Sequence, residues 1–265
     1  MLMHPLLPKL KQLRLSGMVE SLEERAELTR EQKLSPTEFL ALLLDDELER
    51  RARRAQARRE REAGFENPKR LSQFDFSAAP TLDRSLVLDM ATRAFIERKE
   101  NWLLCGPTGV GKSHLATAVG YAAIQRGMRV LSGQTHRLLA ELFTSRADGG
   151  FEKLMKRIGA VDLLILDDLG LRPISREGAD DLYEVIHRRY ERGSIILTSN
   201  RAPSEWGELF GDGLLASAAL DRLTHHARVT VITGESYRQR ERRRAGPEPS
   251  RKGVPPPDND DLNNA

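Results

Sequence analysis

Five short apolar segments, "NWLLC" (101–105), "MRVLSG" (128–133), "VDLLILDD" (161–168), "SIILTSN" (194–200) and "RVTVIT" (228–233), alternate with stretches long enough for helices. Few folds accept that alternation. Strands joined by helices of ten or more residues run parallel, and the helices then cover both faces of the sheet. Residues 83–240 are therefore expected to form an α/β core.

The first segment runs straight into "GPTGVGKSH" (106–114), in which Gly106, Pro107, Thr108, Gly109, Val110, Gly111, Lys112 and Ser113 fit G-x-x-x-x-G-K-[ST] in full. A strand precedes the loop and a helix at about 112–125 follows, which is the setting the motif needs. Its glycines let successive N–H groups point inward, and the helix N-terminus adds partial positive charge. Lys112 would reach the β- and γ-phosphates of ATP and the Ser113 hydroxyl would ligate Mg²⁺, with His114 closing the loop. The plain alternative is a glycine turn that caps a helix.

A phosphate cradle needs a second half. "LLILDD" ends a buried strand in two carboxylates, which are costly to bury without a positive partner. Asp167 fits the Walker B position that holds Mg²⁺ through water, and Asp168 the position that orients the attacking water. Capping or solvent exposure explains the same pair. Asn200, ending "LTSN", places an amide beside the γ-phosphate or simply forms a turn. Arg222 in "ALDRLTHH" lies before the last strand. His225 and His226 have no cysteine or second histidine cluster near them in sequence, so no metal site is assigned there.

The segments before the core read as helices. Leu15, Met18, Leu22 and Ala26 recur at helical spacing over 9–30. "SPTE" (35–38) is a capping box with proline at the first helical position. The helix it opens carries Phe39, Leu40, Leu43, Leu44 and Leu48 on one face, then seven arginines and four glutamates over 47–62. The arginine-rich half is expected to project, supported by pairs such as Glu47–Arg51 and Glu49–Arg53. Residues 1–65 form an N-terminal helical domain, 66–82 a linker, and 241–265, with little apolar content, a disordered tail. No apolar run reaches a membrane span, and the opening "MLMHPLLPKL" lacks the core of a signal peptide. The single cysteine, Cys105, excludes an internal disulfide, suits the cytoplasm and reads as a small buried thiol.

The order of phosphate loop, Asp-Asp, asparagine and arginine resembles the AAA+ ATPases. That likeness implies that Arg222 contacts ATP bound to a neighbouring subunit of a homo-oligomer. "LRLSGMVESLEERAE" (13–27), "FLALLLDDELERRARR" (39–54), "FDFS" (74–77), "LDRLTHH" (220–226) and "GESYR" (234–238) narrow the resemblance to IstB, the helper ATPase encoded beside the transposase IstA in one group of insertion sequences, and a relative of the helicase loader DnaC. The resemblance implies an ATPase that assembles on double-stranded DNA and directs or activates its cognate transposase. The alternative is a loader whose partner is a replicative helicase.

Two departures stand out. Many relatives have Asp-Glu where this chain has Asp167-Asp168, and the shorter carboxylate implies slow hydrolysis. No full helical lid follows the last strand, which leaves Arg238 as a sensor-like arginine. A small-molecule kinase would need an acceptor-binding lid, and a nucleotide-gated DNA binder would need no hydrolysis.

Net charge is only +3, yet the arginines cluster. Few aromatics interleave with them, so phosphate contact rather than base stacking is expected, through Arg53, Arg54, Arg58 and Arg59. A solvated helix face is the plain reading of the same run.

Overall fold

A computed structural model describes residues 5–237 and 239–240. Arg238 and the tail expected to be disordered, 241–265, lie outside the described residues. Helices α1 (Leu7–Gln12), α2 (Ser16–Gln32) and α3 (Pro36–Ala63) come first, followed by α4 (Arg84–Met90) and α5 (Ala94–Glu97). The core then runs β1 (Asn101–Cys105), α6 (Lys112–Gln125), β2 (Val130–Gln134), α7 (Thr135–Ala147), α8 (Phe151–Ala160), β3 (Leu163–Leu169), α9 (Arg176–Arg189), β4 (Ser194–Ser199), α10 (Gly207–Phe210), α11 (Gly213–Thr224) and β5 (Ala227–Val231).

All five expected strands are present, and they form one parallel sheet in the order β2-β3-β4-β1-β5. Alternate residues serve opposite faces, as the pleat requires. Trp102, Leu104, Ile165 and Ile196 pack with α4, α5 and α6, whereas Leu103, Cys105, Leu164 and Leu197 pack with α7, α8, α9 and α11. With both faces covered, the central strands β1 and β4 are buried throughout.

The N-terminal helices have a small core of their own, Met18, Leu22 and Leu43, with Leu7, Leu10, Leu15 and Phe39 against it. The single helix expected over 9–30 is two helices. The chain turns at Arg14, in the left-handed region at φ 58°, and the break lets Leu7 and Leu10 fold back onto Met18 and Leu22. Gly17 brings α2 and α3 together, since a Cβ there would stand 2.6 Å from the Glu47 Cα. The Ser35–Glu38 capping box forms as expected. The apolar face of α3 is only partly used. Leu43 is buried, while Leu40, Leu44 and Leu48 point away from α2 and stay exposed.

The arginine-rich half of α3 does not end free in solvent. Its last residue, Ala63, is fully buried in the core, Gly64 packs on the Ser132 carbonyl and Phe65 on Gly120. The expected linker is irregular but packed, because Phe74, Phe76, Ala79 and Leu82 give it an apolar side that joins the core against α4 and α6.

Candidate nucleotide-binding site

Glycines shape the loop after β1. Gly109 and Gly111 have φ of 91° and 99°, a region that side chains rarely adopt, and a Cβ on Gly111 would meet the Phe74 ring at 2.7 Å. The loop leads into α6, whose first residues are Lys112 and Ser113. Lys112 is 6% exposed, and its Nζ donates to the carbonyls of Gly106 (2.8 Å) and Pro107 (2.9 Å). Burial pushes its pKa down, while Asp168 and Asp167 pull it back up.

Ser113 Oγ donates to Asp167 Oδ1 at 2.8 Å, so hydroxyl and carboxylate meet although 54 positions separate them. Both are hard oxygen donors, the set that suits Mg²⁺. Thr198 Oγ1 donates to the same carboxylate oxygen and accepts from the Asp168 N–H at 2.9 Å. Thr135 Oγ1 donates to the Asp167 carbonyl at 2.9 Å. Asp168 sits in the left-handed region at φ 57°, which turns the chain at the end of β3 and presents a second carboxylate to the same space.

Pro107 accepts from Lys112 and Thr108, Val110 and His114 complete the loop, and Asn200 faces the cavity from the end of β4. That cavity measures about 1040 Å³ and holds both carboxylates and the loop. Its rim is built from two segments distant in sequence. Phe74 meets His114 edge-on, its ring 5.3 Å away, and burial lowers the His114 pKa. The chain after β5 crosses the loop, where the Tyr237 N–H donates to the Gly109 carbonyl at 3.0 Å and Ser236 covers Gly109. Arg240 is paired with Asp75, joining the two rim segments. Cys105 is buried with its thiol pKa pushed up to about 11, which keeps it inert.

Arg222 is elsewhere. Parallel pairing puts Ala227 of β5 beside Asn101, at the start of β1, whereas the phosphate loop follows Cys105 at the end of β1. The end of α11 is thus at the amino edge of the sheet, about 13 Å of strand from the loop. Asn101 fixes it there, donating to the Leu223 carbonyl (3.0 Å) and accepting from the Ile195 N–H (2.9 Å). Arg222 Nη1 donates to the Ala218 carbonyl at 2.8 Å, and its guanidinium lies 5.4 Å from the centre of the Tyr183 ring. Among the described residues it forms no ion pair, so a plain surface salt bridge does not account for it.

Arg53, Arg54 and Arg58 are exposed on α3 and Arg59 is half-buried. Arg53 pairs with Glu49 at 3.5 Å and Arg58 with Glu62 at 3.7 Å. At about 100° per residue these four arginines span roughly 240° of the helix, so one nucleic-acid strand cannot meet them all.

The sequence patterns point to neither Thr198 nor Phe74 as part of this site. Thr198 sits inside a strand that reads as uniformly buried, and its only signal is a polar side chain two residues before Asn200.

The model of the "IstB-like ATP binding protein" family matches residues 8–245. A protein of insertion sequence IS21 from Pseudomonas aeruginosa, named for ATP binding, is 44% identical over 91% of this chain and 90% of its own. An IS5376 protein from Geobacillus stearothermophilus, named likewise, is 38% identical over 87% of this chain and 92% of its own. Among solved structures, DnaI shares the fold at a TM-score of 0.54 and 24% identity, covering 62% of this chain and 91% of that one. AMPPCP-bound DnaA from Aquifex aeolicus does so at 0.51 and 23%, covering 63% and 51%. The core shares its fold with these proteins, and the chain belongs to the family of IstB-like ATP-binding proteins.

Proposed function

We propose that this protein is an ATPase that assists transposition, assembling with itself on double-stranded DNA and directing a partner transposase. The observation that carries the reading is the separation of Lys112, Ser113, Asp167 and Asp168 on one sheet edge from Arg222 on the other. An arginine held away from its own phosphate loop supports a role at the loop of a neighbour.

In this reading the backbone N–H groups of the loop and Lys112 hold the β- and γ-phosphates of ATP. Ser113 and Asp167 are the residues that would hold Mg²⁺, which when bound neutralises charge on the phosphate oxygens. Thr198 fixes the Asp167 carboxylate and the backbone of Asp168 at once, so the metal ligand and the water-orienting carboxylate stay in register. Asp168 accepts a hydrogen bond from the attacking water, and Asn200 adds a polar contact beside the γ-phosphate. Arg222 of the adjacent subunit stabilises charge on the transferring phosphoryl group, so turnover waits for assembly.

The insertion-sequence relatives, at up to 44% identity, favour a transposase over a replicative helicase as partner, since the likeness to DnaI is one of fold. The exposed arginines Arg53, Arg54 and Arg58 supply phosphate contacts to the duplex, whose displaced counterions make binding salt-dependent.

The test is duplex binding against salt with ATP present, for the wild type and for Arg53→Ala, Arg54→Ala, Arg58→Ala and Arg59→Ala combined. Affinity for all duplexes should fall together and the slope against log salt should flatten. Because Arg59 is half-buried and turned away from the other three, the slope should change by about three units rather than four. Identical slopes would remove this helix from the DNA interface, and an ATPase rate indifferent to duplex DNA would remove assembly on DNA as the trigger.

A further inference from the structure

The fold brings a third ligand to the histidine pair that the sequence leaves without one. Glu191, in the turn after α9, offers a carboxylate oxygen within 4.8 Å of a ring nitrogen from each of His225 and His226, and all three side chains are exposed. Among the described residues no other trio of histidine, cysteine or carboxylate groups converges this closely. We propose that Glu191, His225 and His226 bind a divalent transition-metal ion of the zinc class, a site separate from that for ATP and Mg²⁺.

Ligand chemistry and scaffold both support it. Two imidazoles and one carboxylate are a donor set that zinc takes, and they leave a fourth position open. The Tyr190 hydroxyl lies 2.7 Å from His225 Nδ1. Such an outer hydrogen bond fixes the orientation of a ligating imidazole and leaves Nε2 for the metal. The two histidine rings stand 4.0 Å apart, centre to centre, at a tilt of 44°, so they approach without stacking flat.

The elements that carry the ligands are held from within the core. Arg189 is 1% exposed, and its guanidinium donates to the carbonyls of Ile158, Val161, Asp162 and Ser194, which pins the turn bearing Glu191. Glu191 itself adopts the left-handed region at φ 57°, uncommon for a residue with a side chain. On the other side, the Asn101 N–H donates to the His226 carbonyl at 2.9 Å. Two buried anchors therefore hold opposite walls of an exposed cluster, the arrangement in which exposed side chains keep a fixed geometry.

Arg222 and Lys99 line the adjoining cleft with Glu191 and His226. Their charge opposes a cation, which sets the expected affinity in the micromolar range.

Full-length, tag-free protein is titrated with Zn²⁺ in the absence of nucleotide, using a chromophoric competitor for free metal, and with Co²⁺ by its visible d–d absorption. The wild type should take up one equivalent of Zn²⁺ and give the absorption of a four-coordinate Co²⁺ site. The combined His225→Ala, His226→Ala variant and Glu191→Gln should each weaken uptake at least about 100-fold, and Tyr190→Phe about 10-fold. Because all three ligands are exposed, circular dichroism of these variants should match the wild type. His187→Ala should bind as the wild type does. Uptake retained by the double histidine variant, or equal loss in His187→Ala, would overturn the site, as would a wild type that takes up no metal.

Discussion

At the carboxyl edge of the sheet, Asp167 and Asp168 lie near the end of β3, and Lys112 and Ser113 open α6 after the glycine loop that follows β1. At the amino edge, Arg222, Glu191 and His226 come from the ends of two helices and are held by Asn101 and Arg189. The first edge is built from contiguous motifs, so side chains and scaffold are adjacent in sequence. The second edge is assembled by packing, from helix ends that carry no contiguous motif. The loop and carboxylates of the first edge announce themselves by spacing, whereas the approach of Glu191 to His225 and His226 at the second appears only through the fold.

Substitutions on each edge put this difference to the test. Arg222→Ala should have the largest effect, lowering ATP turnover by about 1,000-fold or more. Its ATP affinity should stay close to that of the wild type, since nothing of Arg222 reaches its own loop. Turnover by a strictly monomeric preparation, indifferent to the substitution, would dissolve the distinction between the edges.

Asp168→Asn should lower turnover by on the order of 100-fold or more while ATP still binds, because the amide is a poorer acceptor for the attacking water. Unchanged turnover would make Asp168 a residue of the β3 turn alone. Lys112→Ala should weaken ATP binding by on the order of 100-fold, through loss of a charge-assisted phosphate contact. Equilibrium binding of a fluorescent ATP analogue measures it, and unchanged affinity would refute the assignment of the loop. Thr198→Val tests the buried support. It removes the hydroxyl shared by Asp167 and the Asp168 N–H, and should cost about 1 kcal/mol, near fivefold in turnover, with little change in ATP affinity. An effect as large as that of Asp168→Asn would mean that Thr198 contacts the phosphate directly.

Much of the carboxyl edge is legible in the amino-acid sequence. Five apolar runs set the parallel sheet, and a strand, a glycine loop and a helix start in unbroken succession set the loop. Asp167 is legible because a carboxylate ending a buried strand needs a partner, and Ser113 is the partner found. The left-handed turn at Asp168 is not, since an aspartate after a strand takes several conformations and tertiary contact selects one. The "FDFS" segment reads as a linker because it has no periodicity. Phe74 is held by the space beside Gly111, a constraint that exists only once the loop has folded. The Leu40, Leu44 and Leu48 stripe shows the converse error, in which correct helical spacing does not say which apolar side is buried. Glu191 stands 34 residues from His225, and no local pattern connects them.

Everything proposed for turnover depends on Arg222 acting on the phosphate loop of a neighbouring subunit. The direct measurement is ATP turnover in mixtures of Lys112→Ala and Arg222→Ala proteins across a range of ratios, at an ATP concentration where each variant alone turns over far more slowly than the wild type. An interface that joins the intact loop of one variant to the intact arginine of the other should hydrolyse ATP. Activity should therefore appear on mixing, peak near equal proportions and remain a fraction of the wild-type rate. Mixtures that stay as inactive as their components at every ratio, while still assembling, would contradict an arginine shared between subunits.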